Sequence, residues 1–182
     1  LSGRTQDVNV VSISKWLNKL GVKVEEVRVI ADLEDSIVKT INDVRKKFKY
    51  IFTTGGIGPT HDDITSKSIT KAFKLSYGYH KEAYKILEKY YGAGKFNEGR
   101  KKMAKLPGNA LLINNPSSIA PGFIVDNVYC LPGVPSILKS MLGELSNKIV
   151  GGKKILSKTI NLKTIESEIA LPLGKIQKKF NN

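Results

Sequence analysis

The spacing of apolar residues predicts two helices and two strands in the first part of the chain. Residues 8–20 carry apolar side chains at near-helical spacing and end at Gly21, a typical C-terminal stop. Residues 22–30 are rich in β-branched side chains and partly alternate, which is typical of a strand. Asp32 is placed to cap a second helix, and residues 50–53 form a short apolar strand. This alternation predicts an α/β domain with a mainly parallel sheet that binds ligands at the carboxyl ends of its strands.

Shorter elements are predicted after the second strand. Helical spacing recurs in residues 65–75, 80–91 and 97–104, which Gly78 and the glycines at 92 and 94 separate into an irregular stretch. Strands are predicted at residues 110–113, 123–125 and 128–131, the last two joined as a hairpin across Asp126 and Asn127. The remaining predictions are a helix over residues 136–145, a strand near residues 155–162 and a tail over residues 165–180 that Pro172 interrupts. The hairpin gives the sheet an antiparallel edge.

The length of 182 residues fits one domain. We expect residues 1–150 to form it and residues 151–182 to add a strand and a helical tail packed on the same domain. Residues 1–7 resemble a loop, so we expect that an upstream first strand is missing from the sequence. The apolar segments are too short to span a membrane, and the single cysteine, Cys130, has no partner for an internal disulfide. These features predict a cytoplasmic protein.

The formal net charge is +14, from 30 Lys and Arg against 16 Asp and Glu. Such a charge attracts nucleic acid, anionic membranes or phosphorylated small molecules and does not choose among them. The basic runs at residues 45–49 and 100–102 are explained by solvated helix surfaces and helix C-terminal ends. We therefore expect a phosphorylated small molecule as the ligand, with no membrane partner, and keep nucleic-acid binding only for a non-catalytic module.

The most informative motif is the glycine loop, residues 54–63, which reads Thr54-Gly55-Gly56-Ile57-Gly58-Pro59-Thr60-His61-Asp62-Asp63. Three glycines permit positive φ and close backbone approach, so that successive N–H groups can converge on a phosphate. The positive end of a helix starting near Thr65 adds to the attraction. A plain glycine turn explains the spacing equally well.

Paired carboxylates, Asp62 and Asp63, follow at the mouth of this loop and would repel a phosphate unless a divalent cation lay between them. Mg²⁺ accepts one or two protein carboxylates together with phosphate oxygens and waters, which predicts a magnesium site. Simple capping of the next helix is an equal alternative. His61 fits a surface position better than a catalytic one, and Cys130, inside an apolar strand, is predicted to be buried and inert.

Two further loops offer candidate ligand contacts. Pro132, Gly133 and Ser136 lie at a second junction between a strand and a helix, where they could contact another part of the ligand or simply start the helix. Asn115 lies in a polar, proline-containing loop over residues 114–122, for which a functional and a structural role are both open.

Five motifs occur in the order seen in one superfamily, and they comprise residues 1–9, 53–63, 115–116, 120–123 and 131–136. The chain resembles the molybdopterin-binding domain superfamily, and within it the N-terminal domain of the competence-damage-inducible protein CinA. Similar domains form MogA, MoaB and the front half of eukaryotic FAD synthase. The resemblance implies a three-layer α/β/α domain, a ligand pocket at the glycine loop and assembly into homo-oligomers. The resemblance does not include the C-terminal deamidase region of CinA, so deamidase activity is not predicted.

The resemblance also implies chemistry. In the cofactor-making relatives an aspartate matching Asp63 serves adenylyl transfer to molybdopterin, whereas CinA-like relatives cleave a dinucleotide pyrophosphate of the ADP-ribose or FAD type with a divalent metal. The leading prediction is such a pyrophosphatase, with Asp62 and Asp63 holding Mg²⁺, Mn²⁺ or Co²⁺ and acting in catalysis. A molybdenum cofactor role and a non-catalytic regulatory module are the alternatives. Residues 117–119, Ser-Ser-Ile, depart from the superfamily pattern, so we expect the third loop to be narrower or shaped for another ligand, and the substrate stays open.

Overall fold

The computed structural model of the chain describes residues 7–153, 156 and 158–180. Within these residues the chain forms helices and strands, with four strands in succession between the fifth and sixth helices. The helices are α1 Val8–Lys19, α2 Glu34–Val44, α3 Thr65–Ala72, α4 Lys81–Tyr91, α5 Glu98–Lys102, α6 Pro135–Leu145 and α7 Glu166–Lys179, and a short 3-10 helix spans Ser146–Lys148. The strands are β1 Ile51–Thr54, β2 Tyr77–Tyr79, β3 Lys105–Pro107, β4 Leu111–Ile113, β5 Gly122–Val125 and β6 Val128–Leu131.

Four of the strands form a mixed sheet in the order β1-β6-β5-β4. β1 and β6 are parallel, with Ile51 opposite Val128 and Thr54 opposite Leu131. β5 pairs antiparallel with both β6 and β4, and Asp126, at φ 54°, makes the predicted hairpin turn between β5 and β6. The predicted α/β class with an antiparallel edge is confirmed. Among the described strands of this sheet, one pairing is parallel and two are antiparallel, so the sheet is less parallel than predicted.

Helices cover both faces of the sheet, which confirms the three-layer architecture. Alternate residues of a strand point to opposite faces. One face packs against α2, α3 and α4, and its buried strand residues are Phe123, Val125, Val128 and Cys130. The other face packs against α1 and α6, and its buried strand residues are Ile113, Ile124, Tyr129 and Leu131. The core therefore lies in two layers, one on each side of β5 and β6.

The predicted strand over residues 22–30 is wrong. Residues 23–30 are not in a strand and make no backbone–backbone hydrogen bond to any described residue. A groove of about 510 Å³, lined by this segment and by β1, separates the two. A strand needs a neighbour within about 4.8 Å to form its ladder, and β-branched composition alone does not supply one.

A second, two-stranded sheet was not predicted. β2 and β3 pair antiparallel, with Gly78 opposite Leu106. Gly78, expected to break a helical stretch, instead lies in the middle of β2. The pairing joins segments far apart in the sequence, so local spacing could not indicate it.

The start of α2 differs from the one predicted from the sequence. Asp32 was predicted to cap this helix, but the N-cap residue is Leu33 and no side chain caps it. That prediction is wrong because the helix begins one residue too late for the Asp32 side chain to reach the N–H groups that it would cap. By contrast, Asp7 caps α1, accepting hydrogen bonds from the N–H groups of Asn9 and Val10 at 2.9 and 3.2 Å.

The described residues test only some of the predictions for the C-terminal part of the chain. Residues 155 and 157 of the predicted strand lie outside the described residues, as do residues 1–6 of the predicted loop. Residues 156 and 158–162 are not in a strand. α7 continues through Pro172, and none of its described side chains is buried. Packing of the tail on the domain therefore stays a prediction. Among the described residues, no helix is long and apolar enough to cross a membrane.

Candidate phosphate-binding site

The parallel pairing of β1 with β6 brings two loops together at one edge of the sheet. The glycine loop follows β1, and residues 132–134 follow β6. The loops touch through glycines, because a side chain on Gly133 would lie 3.3 Å from the Cα atom of Gly55. Gly133, one of the residues predicted to contact the ligand from this second loop, therefore lies beside the glycine loop. Pro132 precedes Gly133, while Ser136 is exposed in the first turn of α6.

The glycine loop is fixed at its beginning by backbone geometry that only glycine adopts readily. Gly55 and Gly56 have φ of 89° and 69°. The Gly55 N–H donates to the Leu131 carbonyl oxygen at 2.9 Å, which ties the loop to β6. Thr65, the buried first residue of α3, donates its N–H to Gly56 O at 2.8 Å and its hydroxyl to Gly55 O at 3.0 Å. The loop is therefore held between β6 and the start of α3.

Three consecutive amides of this loop have no protein acceptor. The N–H groups of Gly56, Ile57 and Gly58 make no hydrogen bond within the part of the chain that the structure describes. Successive free N–H groups in a glycine-rich turn are the donor set that binds phosphate in other proteins. These donors are available to a phosphate or to solvent, so phosphate binding at the loop stays a prediction.

Next to these amides, the side chains of Thr60, Asp62 and Asp63 converge. The Thr60 hydroxyl oxygen lies 2.5 Å from Asp62 Oδ1 and 2.6 Å from Asp63 Oδ2, and the Thr60 N–H donates to Asp63 Oδ2 at 2.8 Å. A hydroxyl has one proton, so it donates to only one of the two carboxylates at a time. The hydrogen bond from Thr60 lowers the pKa of Asp62, and the backbone N–H of Asp62, His61 and Lys102 add to that shift. Asp62 therefore stays negatively charged at neutral pH.

The absence of a side chain at Gly58 lets Asp63 fold back on the loop. A Cβ atom on Gly58 would lie 2.7 Å from Asp63 Oδ2, closer than such atoms approach in proteins. From the other side, α5 packs on the loop, because a side chain on Gly99 would lie 3.3 Å from the Pro59 carbonyl oxygen. Lys102, also on α5, donates to the Thr60 carbonyl oxygen.

Asp62 and Asp63 are the residues at this loop that could hold a divalent cation. No group of three or more His, Cys, Asp or Glu side chains that could hold a metal occurs among the described residues. Asp62 and Asp63 supply two carboxylates within reach of one hydroxyl, which matches the one or two that Mg²⁺ takes when phosphate oxygens and waters fill the rest. His61 is exposed at the tip of the loop, as its sequence context predicted.

Asn115 has a structural role in its own loop. It is 2% exposed. Its Nδ2 donates to Ser118 Oγ and to Ala120 O, and its Oδ1 accepts from the N–H groups of Ser117 and Ser118. All of these bonds lie within residues 115–120, so contact with the ligand stays a prediction.

Sequence reasoning missed three residues at this edge. Thr65 and Lys102 hold the glycine loop as described above. Asn9, 7% exposed at the start of α1, donates its Nδ2 to Gly133 O at 2.7 Å, and its buried Oδ1 has no partner among the described residues. The capping of α1 by Asp7 could have suggested that Asn9 points inward, whereas nothing in the sequence links Lys102 to the loop.

The buried cysteine takes no part in the site. Cys130 is fully buried in β6, and burial raises the pKa of its thiol to about 12. This confirms the prediction of an inert side chain.

These features define a class of protein: a three-layer α/β domain with a glycine loop at the carboxyl end of a parallel strand pair. Residues 1–151 match the family model described as a probable molybdopterin binding domain. The chain belongs to that family, as the sequence motifs predicted.

Individual relatives agree with the family. A Saccharolobus islandicus protein is 35% identical over 192 residues, a match that covers 100% of this chain and 73% of the relative. A Sulfurisphaera tokodaii protein is 31% identical over the same shares. The crystal structure of a CinA protein of unknown function from Thermoplasma acidophilum is similar with a TM-score of 0.75 and 30% identity, covering 80% of this chain and 89% of that one. The predicted likeness to CinA is therefore confirmed.

Proposed function

We propose that the chain binds the phosphate of a nucleotide at the glycine loop and hydrolyses a dinucleotide pyrophosphate, of the ADP-ribose or FAD type, with a divalent metal. The observation that carries this proposal is the position of three free amides, at Gly56, Ile57 and Gly58, beside the converging carboxylates of Asp62 and Asp63. Amides alone suit any anion. Carboxylates beside the amides would repel an anion unless a cation binds with it, so this pair of features favours a phosphate bound together with a metal ion.

In the proposed reaction, the free amides hold one phosphate of the substrate and keep its phosphorus atom in place. Asp62 and Asp63 hold the metal, which when bound neutralises charge on the phosphate oxygens and lowers the pKa of water. A water oxygen bonds to phosphorus and its proton is released to solvent, the bridging P–O bond breaks, and the electron pair of that bond stays with the departing phosphate. The products are two monophosphates. Fixed donors of this kind stabilise developing charge without reorganising during the reaction.

The test compares the intact chain with Asp63→Asn. Hydrolysis of ADP-ribose and FAD is measured with Mg²⁺, Mn²⁺ and Co²⁺, following release of AMP. Asp63→Asn should lower turnover by at least about 100-fold. Asp126→Asn is the matched control, because Asp126 lies in the hairpin at the opposite end of β6 and its φ of 54° suits asparagine. Failure of the wild-type chain to hydrolyse either substrate with any of these metals would contradict the proposal.

A second candidate function is binding or adenylylation of molybdopterin, which the description of the matched family favours. The same amides would hold the pterin phosphate, and the same carboxylates would hold the metal bound to ATP. Incubation with ATP, Mg²⁺ and molybdopterin separates the two candidates. Adenylylated molybdopterin supports the second, and its absence together with absence of pterin binding removes it.

A further inference from the structure

Three cationic side chains follow one another on α5, and the structure separates their roles. Arg100 donates to the Lys95 carbonyl oxygen and lies over the Tyr91 ring, with its Cζ atom 4.1 Å from the ring centre. Lys101 pairs with Glu98 at 2.7 Å. Lys102 reaches away from its own helix and donates to the carbonyl oxygen of Thr60, on the glycine loop. Only the third cation, within this run, is directed at the candidate site.

Lys102 makes no close ion pair, although its charge contributes to the lowered pKa of Asp62. No carboxylate oxygen lies within 4.0 Å of its ammonium group in the described parts of the chain. Its partner is a neutral carbonyl group, which binds a cation more weakly than a phosphate does. An ammonium on a flexible stem can move from one acceptor to another at little cost in backbone strain. The ammonium is therefore free to exchange Thr60 O for a phosphate oxygen.

The helix that carries Lys102 is fixed against the loop. Asn97 caps α5 by accepting the Arg100 N–H at 3.0 Å, and Gly99 brings the helix backbone against Pro59. Ala104, just beyond the helix, is buried, and its carbonyl oxygen accepts the His80 N–H at 2.8 Å. The cation is thus delivered from an ordered element and not from a free loop.

We propose that Lys102 binds a second phosphate of the ligand, so that the site selects nucleotides with at least a diphosphate over monophosphates. The free amides at residues 56–58 bind the first phosphate, and Lys102 meets the loop two residues further on, at Thr60. A single phosphate on the amides leaves Lys102 on its carbonyl partner, whereas a diphosphate extends along the loop toward it. This inference rests on the proposed nucleotide site and adds to it the residue that contacts the second phosphate.

The experiment measures binding of AMP and ADP by calorimetry, each with Mg²⁺, to the wild-type chain and to Lys102→Met, Lys102→Arg and Lys101→Met. The wild type should prefer ADP over AMP. Lys102→Met should reduce that preference by about tenfold, because one charge-assisted hydrogen bond is lost, while AMP affinity changes by less than about twofold. Lys102→Arg should restore most of the preference, since it keeps the charge. Lys101→Met, on the same helix, should leave it unchanged.

Each other outcome overturns the inference in a distinct way. If Lys102→Met weakens AMP and ADP equally, the residue only shapes the loop. If the wild type binds AMP and ADP with equal affinity, the selection for a diphosphate is wrong while the nucleotide site stands. If the wild type binds neither nucleotide, the proposed nucleotide site fails and this inference fails with it.

Discussion

Replacement of Gly56 by alanine tests whether the junction between the glycine loop and α3 stabilises the fold. Gly56 has φ of 69°, and a methyl group there would overlap the Thr65 hydroxyl oxygen and lie 3.1 Å from the Thr65 Cβ. A left-handed conformation costs an L-residue about 1–2 kcal/mol. Displacing the Thr65 hydroxyl from Gly55 O adds roughly 1 kcal/mol for the lost hydrogen bond. The free energy of unfolding should therefore fall by about 2–3 kcal/mol.

Gly94→Ala is the matched control for this change. Gly94 has φ of 78°, close to that of Gly56, but no atom lies within 4 Å of a side chain added there. It should therefore lose only the about 1–2 kcal/mol of the backbone conformation. Thermal unfolding followed by circular dichroism measures both, and 1 kcal/mol shifts the Tm by roughly 2–4 °C in a chain of this size. Equal Tm values for the two variants would refute the claim that Thr65 holds the loop.

Three other predictions follow from single side chains. Gly143 lies in α6, and no atom lies within 4 Å of a side chain added there. Gly143→Ala should therefore raise the free energy of unfolding, measured by urea denaturation, by about 0.5–1 kcal/mol. A loss of stability would show that the added methyl group meets a neighbour. Because the Thr60 hydroxyl is the first cause of the lowered pKa of Asp62, Thr60→Val should raise that pKa in a carboxyl-carbon NMR titration. Asp62 is charged above its pKa, so as the pH falls the variant should lose this charge at a higher pH than the wild type does. An unchanged titration would contradict the role assigned to Thr60. Burial raises the pKa of the Cys130 thiol to about 12, so a maleimide at pH near 8 should label the native chain at least about 100-fold more slowly than the urea-unfolded chain. Equal labelling rates would show that β6 opens readily.

The sequence by itself determined the elements whose cause is local. Three predictions hold in the structure because each depends on residues a few positions apart: the helix before Gly21, the turn at Asp126 and Asn127, and the helix over residues 136–145. The glycine loop belongs to this group as well. Its positive φ values at Gly55 and Gly56 require glycine, so the residue types alone mark the turn.

Tertiary structure decided the features that need a distant partner. Residues 22–30 have strand composition but no strand beside them, whereas Gly78 lies in a strand because residues 105–107 pair with it. The same holds at the site, where Asn9 and Lys102 come from α1 and α5 to contact Gly133 and Thr60. Backbone pairing and side-chain contact join residues that chain folding brings together, and local spacing carries no record of which distant segments will meet.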